Sequence, residues 1–67
     1  MNKKQILDIA EKYVTFQIIT NNYESGMLNL DKIDFPFEGV LKIVEASSVD
    51  VYLQIKDIRI VRGVGRL

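Results

Sequence analysis

Residues 49–62, VDVYLQIKDIRIVR, decide how the rest of the chain must be built. Val49, Val51, Leu53 and Ile55 point one way, and Asp50, Tyr52, Gln54 and Lys56 the other. A period of two marks a strand with one wet face. Asp57 breaks the alternation, and Ile58, Arg59 and Ile60 resume it as a second short strand. Such a pair does not stand alone in water, so the other residues must supply the far side of a core.

Working outward, residues 14–20 set Val14, Phe16 and Ile18 against Thr15, Gln17 and Ile19, a β-branched and aromatic run that reads as a strand. Asn21 and Asn22 follow, and Asn tolerates the positive φ of tight turns, so the chain doubles back. Residues 23–31 form the return strand, with Gly26 marking a bend. Residues 31–38 read as irregular, because Pro36 lacks an amide donor and is excluded from a central strand. Gly39 turns the chain into a third strand over residues 40–46, with Leu41 and Ile43 on one face and Lys42 on the other beside Val40 and Val44. Ser47 and Ser48 make a short turn, and the glycines at 63 and 65 predict a flexible tail over residues 63–67.

Ahead of the strands, residues 3–13 predict a helix. Asn2 caps it and Gln5 sits where a capping-box partner belongs. Ile6, Ile9, Ala10 and Tyr13 form one apolar stripe, suited to covering an open end of a sheet or barrel. The expected fold is therefore a single domain over residues 1–67, mainly β with one N-terminal helix. Its five short antiparallel strands, bent at the glycine, close into a small barrel that hides its edges.

Composition narrows the function. A chain of 67 residues buries only about 60% of its unfolded surface, so its core is thin. It has no cysteine and no histidine, which removes disulfides, thiolate chemistry and the usual zinc ligands. Oligomerisation is the remaining common source of buried area, and a homo-oligomer is expected. Ser25, Ser47 and Ser48 have no base beside them in sequence, and the Asp31/Asp34 and Glu38/Glu45 carboxylates lack room for a pocket that would split their pKa values. The chain reads as non-enzymatic, and no cofactor is called for. Gly63-Val64-Gly65 opens no helix and is not a phosphate loop.

Nine basic residues balance nine acidic ones, which argues against a general duplex-DNA binder. No apolar run approaches the ~20 residues of a membrane span, and the charged start is followed by an amphipathic stretch rather than a signal sequence. A soluble, cytoplasmic protein that binds no membrane is expected. The charge is uneven, since Arg59, Arg62 and Arg66 fall in a final stretch with no acid. Candidate binding residues are Phe35, Phe37, Tyr52, Gln54, Lys56, Arg59, Arg62 and Arg66. Aromatic rings stack on bases or anchor a protein partner, and Gln, Lys and Arg supply edge and phosphate contacts. Taken singly, each is equally explained as a core aromatic or a solvated strand residue.

The order of elements resembles the Sm-like family, and within it the bacterial Hfq branch. The residues that carry the likeness are Val14 to Ile18 as a first strand and Gly26-Met27-Leu28-Asn29-Leu30-Asp31 as a second. Asp34-Phe35 is similar to the acidic–aromatic step before a third strand at Val40-Leu41-Lys42-Ile43, and Ile58 to Arg62 is similar to the closing strand. The resemblance implies an SH3-like or Sm-like barrel, assembly as a ring, and binding of single-stranded RNA with Phe35 and Lys56 at the nucleotide site. Asn22 stands where that family has a turn glycine, Gln54-Ile55-Lys56 where the Hfq branch has its uridine-reading Tyr-Lys-His, and the loop around Pro36 is longer. Two functions follow. One is a protein-binding regulator or inhibitor, phage- or host-encoded, and the other an RNA-binding ring.

Overall fold

The computed structural model describes residues 1–44 and 49–67. The end of the expected third strand, the Ser47-Ser48 turn and a Glu38/Glu45 pairing lie outside the described residues. Helix α1 spans Lys3–Lys12 and starts with a complete capping box. The Asn2 side chain accepts the Gln5 N–H and the Gln5 side chain accepts the Asn2 N–H, both at 2.9 Å. These bonds satisfy two donors that a helix start leaves orphaned. Ile6 and Ala10 are buried and Ile9 packs against them, as the stripe predicts. Tyr13 is already extended and begins the next element.

Strand β1 (Tyr13–Thr20) pairs antiparallel with β5 (Ile58–Arg66), in register from Tyr13 opposite Arg66 to Ile19 opposite Ile60. Phe16 and Ile18 turn inward opposite Gly63 and Val61. The glycine-rich end is thus part of a nine-residue strand and not a flexible tail. The glycines that suggested otherwise are what the pairing requires. At Gly63 the Tyr13 ring fills the space a Cβ would take, and Gly65 holds φ +72, a conformation that side chains disfavour. Leu67 N–H then donates to the Lys12 carbonyl at 2.9 Å, tying the chain end to the helix–strand junction.

After β1 the chain doubles back at Asn21-Asn22, where Thr20 N–H donates to the Tyr23 carbonyl. The return over residues 23–31 is not the expected strand. It meets β1 at isolated bridges, Ile19–Glu24 and Phe16–Leu28, and through the Ser25 N–H donated to the Ile18 carbonyl at 2.9 Å, without forming a continuous ladder. Between the two bridges a side chain joins the pairing, as buried Ser25 accepts the Ile18 N–H on its Oγ at 2.8 Å and donates its own O–H to the Gly26 carbonyl. A 3-10 turn at Leu30–Lys32 follows, its Asp31 N–H donating to the Asn29 side chain at 3.1 Å.

The stretch around Pro36, read as irregular, is strand β2 (Ile33–Phe37). Pro36 fits because β2 is an edge strand, paired only with β3 (Val40–Ile43), and the register shifts between Asp34 and Phe37 to accommodate it. Gly39, at φ +75, closes the tight turn between them. β3 pairs in turn with β4 (Val51–Gln54), and the 3-10 turn Ile55–Asp57 carries Asp57, the residue that interrupts the alternation.

The five strands form two sheets, β1–β5 and β2–β3–β4, and do not close into a barrel. The gaps fall at the Ser25 arm and at the 3-10 turn before β5, where side-chain and turn bonds take up the backbone groups that a ladder would use. Both sheets and α1 nevertheless feed one core. Phe16, Ile18, Ile6, Leu41 and Ile43 are fully buried and cluster with Leu28, Ile55, Ile58 and Val61. No helix among the described residues is long and apolar enough to cross a membrane.

Candidate binding grooves

The tip of the β2–β3 hairpin and the second 3-10 turn are held together by Ile55 N–H donating to the Gly39 carbonyl at 2.9 Å. Beside that contact lies the larger groove, of about 650 Å³, with Phe35, Pro36 and Phe37 on one side and Ile55 and Lys56 on the other. Met1, Asn2 and Lys3 complete its wall. Phe35 is half-buried against the core, and the Lys3 ammonium sits 5.0 Å from its ring centroid, within cation–π range. Phe37 is 67% exposed, the most open aromatic side chain among the described residues. The rim carries Lys3, Lys56 and Glu38, so the apolar walls stand under a slight cationic excess.

A second groove of about 390 Å³ lies between the Asn21-Asn22 turn and β4. Its walls include Thr20, Tyr23, Tyr52, Gln54 and Asp57, and they are more polar. The Arg59 guanidinium donates to the Asn21 side-chain oxygen at 3.0 Å and so borders this groove already engaged. Nearby, the Lys42 ammonium lies 3.4 Å from the Asp50 carboxylate and 5.9 Å from the Tyr52 ring. The hydrogen bond and charge of Asp50, then the charges of Tyr52 and Asp34, raise the Lys42 pKa above the usual lysine value.

The eight sequence candidates therefore divide into three places. Phe35, Phe37 and Lys56 meet in the larger groove, and Tyr52 and Gln54 line the smaller one with Arg59 at its border. Arg62 and Arg66 lie on β5 outside both. Gln54, Lys56 and Arg59, neighbours in sequence, are split, because the 3-10 turn sends Lys56 to one groove and Gln54 and Asp57 to the other. Sequence reading missed Lys3 and Ile55. The capping box marked where α1 begins, but no local spacing connects a helix start to a phenylalanine so far along the chain.

No family model matches the chain, and neither does any curated protein or solved structure.

Proposed function

We propose that this chain is a small non-enzymatic binding protein whose Phe35–Phe37 groove takes a protein partner, in the manner of a regulator or inhibitor. The observation that carries this reading is Phe37, a large ring left open to water beside Phe35 and Pro36 and above the Ile55 side of an apolar groove. Isolated exposed apolar residues are ordinary, but an aromatic ring on the lip of an apolar groove is the usual make-up of an interface anchor. Zero net charge agrees with a partner bound by shape and apolar burial. Antiparallel pairing of the first strand with the last supports an opened SH3-like or Sm-like arrangement. The unpaired outer edge of β4 supports the expected homo-oligomer.

A second reading, an oligomeric ring that binds single-stranded RNA, is favoured by one observation. Phe35 and Lys56, the pair that the Sm-like resemblance assigns to a nucleotide, line the same groove. Against it, Lys3 occupies the Phe35 ring face on which a base would stack, and the arginines stand elsewhere.

The test is selection of displayed peptides on the wild-type protein, with counter-selection on Phe37→Ala, beside anisotropy of a labelled oligouridine. Peptides that bind wild type, survive high salt and are lost in Phe37→Ala support a protein partner. Oligouridine binding that falls steeply with salt and is lost in Lys56→Ala would replace it with the RNA reading.

A further inference from the structure

The three open strand edges of this molecule are treated differently. On β2 the Phe35 N–H is taken by the Asp34 carboxylate at 2.8 Å, and Pro36 offers no N–H at all. That edge is blunted by the devices proteins use against unwanted pairing. The β4 edge is only four residues long, which is itself protective. β5 is nine residues long, contains no proline, and bonds only to β1. No other described residue hydrogen-bonds to its outer edge.

The chemistry of the β1–β5 sheet is equally one-sided. The two strands carry Arg59, Arg62 and Arg66 and not one carboxylate, in a chain whose net charge is zero. Arg59 is engaged by Asn21, which leaves Arg62 and Arg66. Both are exposed, at period-two positions with Ile60 and Val64, which are 46% and 45% exposed. Alternation of apolar and cationic side chains along an open strand is a template for a strand of the opposite pattern. Arg62 and Arg66 stand about 13 Å apart at the usual rise of a strand.

We propose that the free edge of β5 receives an extended acidic segment of a partner protein as an added strand. Carboxylates four residues apart meet Arg62 and Arg66, and an apolar residue between them meets Val64. Main-chain bonds along the edge supply affinity, and the two charge pairs set register and exclude basic strands. A nucleic acid fits less well, because Ile60 and Val64 would lie against phosphates and the ring beside the arginines, Tyr13 opposite Arg66, already packs over Gly63. A second copy joined β5 to β5 about Arg62 fits less well too, because it would set arginine against arginine.

The probe is an end-blocked peptide, Glu-Thr-Val-Thr-Glu-Thr-Val-Thr-Glu, titrated into the full chain while backbone amide resonances are followed by NMR. Saturable shifts confined to β5 and its neighbours on β1 are expected, with binding about tenfold weaker in Arg62→Glu/Arg66→Glu. Both arginines are exposed, so that variant is expected to keep its amide dispersion, and it should instead bind the peptide in which Lys replaces Glu. Recovery by charge exchange is a readout that mere loss of structure does not give. Shifts on the Phe37 groove in place of β5, or no shifts at all, would overturn the proposal. So would stronger binding of oligouridine at β5, or a light-scattering mass showing that edge already closed by another copy.

Discussion

The two sheets share a core but present opposite surfaces. On β2–β3–β4 the outward row Asp34, Lys42 and Tyr52 runs across all three strands in register, and Lys42 finds both an acid and a ring. Its β2 edge is closed by Asp34 and Pro36. On β1–β5 the charges have one sign, none of the three arginines has an acidic partner on either strand, and the long edge is open. One sheet pairs its charge within the chain, while the other leaves its arginines without acids and its long edge open. The molecule is neutral overall because acids outside both sheets offset the arginines of β5, and net charge therefore conceals where positive charge gathers.

The largest expected effect tests whether the sheets share one core. Phe16 on β1 and Leu41 on β3 are both fully buried. Phe16→Ala is expected to cost about 3–5 kcal/mol and Leu41→Ala about 2–5. A domain of this size has roughly 3–10 kcal/mol in all, so either change should leave it barely folded. Both should lower a single urea transition, and two separate transitions would show that the sheets unfold independently. Next, Gly63→Ala places a methyl where the Tyr13 ring lies, at about 1–3 kcal/mol. The loss should shrink when Tyr13 is also made Ala, and a loss unchanged in that background would put the strain in the backbone of β5 instead.

The edge contrast is sharpened by removing the blunting. Asp34→Thr with Pro36→Val returns a donor to β2 and frees the Phe35 amide. Light scattering should then show mass rising with concentration beyond that of wild type, and an unchanged mass would mean that something else guards the edge. The smallest effect lies with Lys42. Its pKa is held above the usual 10.5 by Asp50, so its stabilisation is present below that value and fades as pH rises through the elevated one. Between pH 10 and 12 the urea midpoint of wild type should therefore fall slightly more than that of Lys42→Met. Because the pair is solvent-exposed, parallel curves at high salt are expected.

Much of the architecture was legible from period and punctuation. Asn2 and Gln5 marked the helix, Phe16 and Ile18 the inner face of β1, and Leu41 with Ile43 the buried face of β3. The misreadings share a cause, since each rested on a residue's local preference that a tertiary neighbour overrode. Gly63 and Gly65 spoke for a loose end, yet the Tyr13 ring and the pairing with β1 make them strand residues. Pro36 spoke for irregularity, yet an edge tolerates it. Ser25 gave no signal at all, although its hydroxyl takes the Ile18 N–H that a regular ladder would give to a backbone carbonyl. For binding, the pairing of Phe35 with Lys56 was reachable from resemblance, whereas Lys3 over Phe35 depends on where α1 docks and left no trace in local spacing.

The wall that Met1, Asn2 and Lys3 lend to the larger groove has a practical consequence. Anything fused ahead of Met1 would stand in the mouth of the aromatic groove and compete for it, so a binding assay on such a fusion would read the tag along with the protein.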